Sequence, residues 1–175
     1  MSANPQQPAF PEPHWGRERT SGLFAPAYAF AATRLGSRLI RLLVPLDRRL
    51  LTLTKGKYPL FGPTTLPTLL LTTTGRKSGQ PRTTALNYLP FGDRLLILGS
   101  NFGQSHHPAW TSNLLAHPEA AVAIGGTEVA IRASLLEGSD RDDGMRRFLA
   151  YPMYRSYLSR TDRDLRLFAL TRSVT

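Results

Sequence analysis

Residues 23–51 carry apolar positions that recur with the period of an α-helix. When Arg34 is placed at zero and each residue advances by about 100°, arginines fall on one arc and leucines on another. The arginine arc contains Arg34, Arg38, Arg41, Arg48 and Arg49, and the leucine arc contains Leu35, Leu39, Leu42, Leu43, Leu46 and Leu50. Because Pro45 has no N–H to donate within a helix, we predict two short helices, or a kink, rather than one straight helix.

After Pro67 the pattern changes to short apolar segments separated by Gly, Pro and Asp, which is typical of β-strands and turns. We expect strands at residues 68–73, 82–89, 94–99, 120–124, 129–136 and 165–171. Hairpin-type links indicate that the first three form an antiparallel meander. Helices are expected at 108–116, with Pro108 in the first turn, and from a Ser139-Asp140 cap to about residue 150. Residues 151–160 indicate a loop or a broken helix.

These elements predict an α+β fold in which about six mostly antiparallel strands form a β-barrel-like domain with short helices. Residues 1–20 are proline-rich and predict a flexible tail, residues 21–54 form a basic amphipathic helical segment, and residues 55–175 form the barrel domain.

The absence of cysteine excludes disulfides and thiolate catalysis. The sequence shows no secretory signal and no apolar run of about 18 residues, so we expect a cytoplasmic protein.

The formal net charge of +10 predicts an anionic partner. Residues 16–57 contain nine cations and two acids, and arginine dominates. A nucleic-acid interface would place aromatic residues among such cations, and this segment largely lacks them, so we do not expect nucleic acid as a partner. Residues 34–50 allow two interpretations. In one, the helix lies on an anionic membrane surface. In the other, its leucines pack on the domain while its arginines face water.

The turn between the first two predicted strands concentrates positive charge. Leu69-Leu70-Leu71 leads into Thr72-Thr73-Thr74-Gly75-Arg76-Lys77-Ser78-Gly79-Gln80-Pro81-Arg82, so three cations lie within seven residues. Two glycines flank the Arg-Lys-Ser core, and we expect several backbone N–H groups there to be free. Because arginine and lysine bind phosphate and carboxylate groups, the turn predicts a site for an anionic cofactor. The alternative is a charged hairpin turn in water.

Other catalytic chemistries find little support in the sequence. His106 and His107 are adjacent, and no spacing typical of metal ligands follows, so we expect no metal site. Ser100 and Ser112 lack the sequence context of a nucleophile elbow, which argues against a hydrolase.

Four motifs together resemble one family. They are the Thr72–Arg82 turn, Gly99-Ser100-Asn101-Phe102-Gly103, Pro108-Ala109-Trp110-Thr111-Ser112-Asn113-Leu114 with His117-Pro118, and Tyr151-Pro152-Met153-Tyr154-Arg155-Ser156-Tyr157 followed by Arg160-Thr161-Asp162-Arg163. Over roughly residues 55–172 the chain resembles the deazaflavin-dependent nitroreductase family of actinobacteria. The resemblance implies a split β-barrel related to flavin-mononucleotide-binding barrels. It also implies coenzyme F420, an 8-hydroxy-5-deazaflavin with an anionic phosphate and oligoglutamate tail, and hydride transfer to an acceptor such as a quinone, an enone or a nitroaromatic.

The resemblance also assigns cofactor-binding positions. It implies phosphate and tail contacts from Arg76, Lys77 and Arg82, and it places beneath the deazaflavin ring Thr84, Ala85 and Leu86. The positions that would flank the ring are Leu98, Gly99, Ser100 and Asn101, and those that would contact the cofactor from the following helix are Ala109, Trp110 and Asn113. Thr84-Ala85-Leu86 stands where a well-known member has Asn-Pro-Leu, and Gln104-Ser105-His106-His107 is less charged than its counterpart, so the acceptor stays open.

Three tyrosines, Tyr151, Tyr154 and Tyr157, resemble the tyrosines of the family's substrate pocket. On a helix their spacing of three would place them on one face, where phenols offer hydrogen bonds to a planar, carbonyl-bearing acceptor. Aromatic packing under the barrel is the alternative. Because Tyr154 is central, it is the candidate to hold the acceptor and to give a proton, with Ser100 as the other candidate donor.

Two further functions stay open besides an F420-dependent reductase of quinones or nitro compounds. One is an F420-binding storage or sequestration protein with little turnover, and the other is a flavin-mononucleotide-binding split-barrel oxidoreductase. The amphipathic segment would suit a lipid-soluble acceptor, which places the protein in the cytoplasm with peripheral contact to the inner face of the membrane. The sequence leaves the oligomeric state open.

Overall fold

The computed structural model describes residues 10–13, 25–58, 60 and 66–173. Most of the predicted tail, residues 1–20, and the start of the predicted helical segment lie outside this described part. Within the tail, Phe10 is partly buried against the core of the barrel.

Two N-terminal helices precede the barrel, α1 at Ala25–Ala32 and α2 at Arg34–Leu53. The two helices are separated at Thr33. Its Oγ1 accepts a hydrogen bond from the Gly36 N–H at 2.9 Å and so caps α2. Two helices are present as predicted, but the prediction that they separate at Pro45 is wrong, because α2 continues through that residue. Pro45 lies on the exposed side of the helix, where water can hydrate the carbonyl group that its missing N–H leaves unpaired.

Among the described residues, six antiparallel strands form a closed barrel in the order β1-β2-β3-β6-β5-β4. The strands are β1 at Thr68–Thr74, β2 at Pro81–Phe91, β3 at Arg94–Leu98, β4 at Glu119–Ile124, β5 at Thr127–Leu135 and β6 at Leu167–Arg172. Each lies within two residues of its predicted bounds, and the first three form the predicted antiparallel meander. The predicted α+β fold with a split β-barrel is therefore confirmed.

Further helices are α3 at Ala109–Ala116, α4 at Gly138–Leu149 and α5 at Pro152–Leu158, with a short 3-10 turn at Asn101–Gly103. The predicted Ser139-Asp140 cap is wrong, because α4 begins directly after Glu137. Asp140 instead forms an ion pair with Arg94 at 3.0 Å. The segment 151–160, expected to be a loop or a broken helix, contains α5, whose first residue is a proline.

Strands β3 and β6 are largely buried on both faces, which explains their continuous apolar sequence. Leu95 and Ile97 of β3 face the barrel interior, whereas Leu96 and Leu98 face a second cluster that includes residues of α4 and α5. Alternate residues of a strand point to opposite sides, so one wall of the barrel serves both clusters. Helix α5, which carries two of the predicted site tyrosines, packs into this second cluster.

Candidate functional site

The turn between β1 and β2, residues 75–80, displays the predicted cations. Gly79 adopts a left-handed conformation with φ of 66°, which glycine accepts without strain. The Gly75 N–H donates to the Gln80 carbonyl at 2.9 Å, and the Gly79 N–H donates to the Gly75 carbonyl at 2.7 Å, so the backbone of the turn closes on itself. The exposed cations of this region are Arg76, Lys77 and Arg82.

Asn113 of α3 fixes this turn to the barrel. Its Oδ1 accepts from the Arg76 backbone N–H at 3.1 Å, and its Nδ2 donates to Thr73 Oγ1 at 3.0 Å. The buried amide therefore holds the turn, besides lining the site. The expectation that the turn offers several free backbone N–H groups is wrong for Gly75, Arg76 and Gly79, because they donate within the protein. The cationic side chains, more than the backbone, are therefore the groups that this turn presents to solvent.

An open groove of about 620 Å³ lies beside the turn, and the three predicted cations line it. Its other lining residues include Thr83 and Thr84 of β2, Ala109, Trp110 and Asn113 of α3, and Arg48 and Thr52 of α2. From the sequence, Arg48 belongs only to the cationic arc of a helix. Arg48 reaches the groove because of how α2 is placed on the barrel, and no local sequence pattern indicates that placement.

A second cavity of about 470 Å³ adjoins the groove and is mostly apolar. Residues of the N-terminal helices, β2, the loop after β3 and α5 form its wall. The predicted site residues in its lining are Thr84, Ala85, Leu86, Leu98, Ser100, Asn101, Trp110, Tyr154 and Tyr157. Thr84 and Trp110 line both compartments, so the groove and the cavity meet at these two residues. The structure thus places the cationic groove next to the apolar cavity.

Gly99 and Tyr151 are predicted site residues that line neither compartment. Gly99 lies between Leu98 and Ser100, which line the cavity, and its N–H donates to the Arg166 carbonyl at 2.8 Å. Tyr151 is 1% exposed and lies immediately before α5, so it does not share the helix face of the other two tyrosines. A spacing of three residues predicts a common face only within a helix, so the predicted face shared by all three tyrosines is reduced to Tyr154 and Tyr157.

The two tyrosines of α5 pack edge to face. The ring centroids of Tyr154 and Tyr157 lie 6.0 Å apart, with an interplanar angle of 86°. Burial raises the pKa of the Tyr157 hydroxyl, against the opposing effects of a hydrogen bond with Ser37 and of nearby arginines, so this phenol stays protonated at neutral pH. The packing of the rings limits where the hydroxyl groups of this wall can lie.

Arg163 supports the loop that follows β3, a role that the sequence pattern does not indicate. Its guanidinium donates to three backbone carbonyl groups, those of Gly99 at 2.9 Å, Ser100 at 2.6 Å and Gln104 at 2.9 Å. The loop needs support because Asn101 and Phe102 have φ values of 46° and 54°, a region unfavourable for residues with side chains. Arg163 is thus a positioning residue for the wall of the cavity that contains Ser100 and Asn101.

Asp47 brings a carboxyl group into the wall of the apolar cavity from α2. The side chain is buried, and its Oδ1 accepts a hydrogen bond from the Leu60 N–H at 2.6 Å. Burial raises the pKa of Asp47 above its ordinary 3.8, although the Leu60 N–H opposes that change. A carboxyl group with a raised pKa stabilises the native state below its ordinary pKa and loses that contribution as the pH rises through the raised value.

We expect Asp47→Asn to increase the free energy of unfolding at neutral pH by on the order of 1 kcal/mol, because the amide oxygen can still accept from Leu60 without a buried charge. The gain should vanish at about pH 4 and below, where Asp47 itself becomes neutral. Urea unfolding of both proteins across a pH series between these conditions measures the difference. A gain that is the same at every pH, or a loss of stability at neutral pH, would contradict the expectation.

The chain is similar to known proteins in sequence and in structure. Residues 55–172 match the model of a family described as F420H(2)-dependent quinone reductase. An F420H(2)-dependent quinone reductase of Mycobacterium tuberculosis (strain H37Rv) is 36% identical over 110 residues, which cover 61% of this chain and 74% of the relative. The family match begins at residue 55, so α1 and α2 precede it.

Two solved structures share the barrel. An F420-H2 dependent reductase (FDR-A) is 33% identical, with a TM-score of 0.54, and the match covers 59% of this chain and 93% of that chain. A chain described as a domain-swapped dimer is also 33% identical, with a TM-score of 0.55, and the match covers 59% of this chain and 79% of that chain.

Proposed function

The chain belongs to the F420H(2)-dependent quinone reductase family, and from this we propose that it reduces a quinone bound in the apolar cavity. Membership confirms the dependence on coenzyme F420 that the family resemblance implies. When bound and reduced, the coenzyme supplies the hydride. The observation that carries the proposal is the junction of the cationic groove with the apolar cavity at Thr84 and Trp110. An anionic tail and a flat ring need these two environments side by side.

The residues of the two compartments fit the chemistry of the coenzyme. The three cations of the groove are charge-assisted donors for phosphate and carboxylate groups, and none of the described residues in its lining is acidic. The cavity volume of about 470 Å³ lies within the usual range for small-ligand sites. We assign the tail groove to Arg76, Lys77, Arg82, Ala109 and Asn113, and the ring contacts to Thr84, Ala85, Leu86, Leu98, Ser100, Asn101 and Trp110.

Tyr154 is the proton donor in this proposal. It is buried, lines the cavity and projects from α5, which packs against the barrel wall. Its hydroxyl holds a carbonyl oxygen of the quinone and donates a proton as negative charge develops on that oxygen. A hydride and one proton together convert the quinone to the hydroquinone. Ser100, in the same lining, is the second donor.

Helix α2 excludes water from this chemistry. Ile40, Leu43 and Val44 line the cavity from α2, and each is partly buried. Arg160 joins the start of α2 to α5 by donating to Ser37 Oγ at 3.0 Å and to Ser156 Oγ at 2.9 Å. A site without bulk water strengthens the hydrogen bond between the donor hydroxyl and the developing charge.

Anaerobic turnover tests the proposed function. We expect the purified protein to oxidise reduced F420, followed by its absorbance, when menadione is added as the quinone. Acceptance of an enone or a nitroaromatic is the wider form of the same proposal. Tight binding of F420 without turnover of any of the three acceptors would instead indicate a storage protein. Turnover with reduced flavin mononucleotide in place of F420 would indicate a flavin enzyme.

We also propose that α2 lies on an anionic membrane surface, from which a lipid-soluble quinone reaches the cavity. Part of the leucine arc packs on the domain, since Leu43 and Leu50 are half-buried, but Leu42 is 76% exposed. Further exposed leucines of α2 are Leu35, Leu39, Leu46 and Leu53. Exposed leucines beside an arginine arc complement a bilayer with anionic headgroups. Phe30 and Leu39 are exposed and also line the cavity, so its rim reaches this face. No helix of the described residues is long and apolar enough to cross a bilayer.

Replacing Leu42 and Leu46 by aspartate should weaken binding to anionic vesicles by about tenfold or more, because two apolar contacts are lost and two negative charges are added. Co-sedimentation with vesicles that contain phosphatidylglycerol measures this, and vesicles of phosphatidylcholine alone should bind the unchanged protein weakly. Leu115→Asp is the matched control, since Leu115 is an exposed leucine of α3. Equal binding of the double variant and the unchanged protein, or no binding by either, would exclude this docking surface.

A further inference from the structure

The C-terminal half of α2 is anchored beside the cationic groove. Leu51 is fully buried, and the Gly126 N–H donates to the Lys55 carbonyl at 3.0 Å, which joins the turn after α2 to the turn between β4 and β5. Gly56 lies so close to β4 that a Cβ atom there would be 2.5 Å from the Ala123 carbonyl oxygen. These contacts hold this end of the helix against the barrel.

Arg48 and Thr52 lie one helical turn apart on α2, and both line the groove. Arg48 is exposed and joins the three cations of the β1–β2 region in the lining. Among the ion pairs of the described residues, none involves any of these four cations. Like charges around one groove repel each other, and a ligand with several negative groups relieves that repulsion. The arrangement therefore fits a polyanion better than a single phosphate.

We infer that Arg48 is a further binding residue for the anionic tail of the coenzyme, so that α2 completes the cofactor site from outside the family-matched segment. The inference rests on the proposed function for the identity of its ligand. Arg48 lines the groove and not the apolar cavity, so it contributes to binding of the tail and not of the ring. The N-terminal helical segment thereby takes part in recognition of the cofactor as well as in covering the acceptor cavity.

Fluorescence titration of the full chain with two ligands tests this assignment. The ligands are oxidised F420 and the tail-less chromophore 8-hydroxy-5-deazariboflavin. We expect Arg48→Ala to weaken F420 binding by about five- to tenfold at low ionic strength and to leave binding of the tail-less chromophore unchanged. Arg48→Lys should retain most of the affinity, because the charge remains. Arg38→Ala is the matched control, since it removes an exposed arginine of the same helix that does not line the groove.

The outcomes separate the inference from the proposed function. If the unchanged protein binds F420 and Arg48→Ala binds it equally well, Arg48 is not a tail contact and the inference fails alone. If Arg48→Ala weakens both ligands equally, the side chain acts on the fold of the site, which also overturns the tail assignment. If Arg38→Ala weakens F420 as much as Arg48→Ala does, the effect is one of net charge only. If the unchanged protein does not bind F420, the proposed function and the inference both fail.

Discussion

Replacing Arg76 and Lys77 together by alanine should weaken the binding of oxidised F420 by about 100-fold. Each side chain supplies a charge-assisted contact to the anionic tail, and two such contacts at exposed positions account for about 3 kcal/mol. The fold should survive, because the turn is closed by its own backbone and held by Asn113 through a main-chain N–H of Arg76. The dissociation constants of the two proteins, measured by calorimetry at one salt concentration, give the result directly.

A second double variant, Arg34→Ala with Arg38→Ala, is the control for net charge. It removes two positive charges from exposed positions of α2 that do not line the groove. We expect its affinity for F420 to stay within about twofold of the unchanged protein at moderate ionic strength. Equal weakening by both double variants would show that F420 responds only to the overall charge. An unchanged affinity in the Arg76 and Lys77 variant would remove the β1–β2 turn from the cofactor site.

Tyr154→Phe should lower the turnover number with menadione by about 10- to 100-fold, because the quinone oxygen loses its proton donor. The variant keeps the aromatic ring, whose centroid lies 5.0 Å from that of Phe148 in the unchanged protein. The cavity should therefore keep its shape, and the affinity for F420 should not change. Stopped-flow oxidation of reduced F420 by menadione measures the effect on the chemical step. Tyr157→Phe is the control, because Tyr157 lies on the same helix and lines the same cavity but is not the proposed donor, and we expect a smaller loss.

The role of Tyr154 would be contradicted in either of two ways. A Tyr154→Phe enzyme that turns over at the unchanged rate would show that another group, such as Ser100, provides the proton. A variant whose affinity for F420 falls as much as its rate would show that Tyr154 supports the cofactor rather than the acceptor.

Local sequence patterns were sufficient to predict the strands of the barrel. Strand alternation, Gly-containing turns and apolar runs depend on neighbouring residues, so each strand was expected within two residues of its observed bounds. The N-terminal helices show the limit of such patterns. Pro45 disfavours helix locally, yet the helical structure is interrupted at Thr33 instead. There the Thr33 side chain caps α2, and α1 packs against α5.

The candidate site divides in the same way. Arg76, Lys77 and Arg82 belong to one hairpin, so their common location was predictable from sequence alone. Arg48 and Arg163 reach the site from elements distant in sequence, through the path of α2 and through the loop after α5, and no spacing indicates either. Tyr151 satisfies the spacing of its neighbours but lies before the helix, in the core.

The most direct test of the account is a titration that monitors Trp110, the tryptophan that lines both compartments. In a Trp15→Phe protein, Trp110 is the single tryptophan and reports on the junction of groove and cavity. We predict that oxidised F420 quenches its fluorescence with saturation in the micromolar range or below, and that flavin mononucleotide at the same concentrations does not. Failure of F420 to change the signal, or tighter binding of flavin mononucleotide, would contradict the claim that this site is built for the deazaflavin coenzyme.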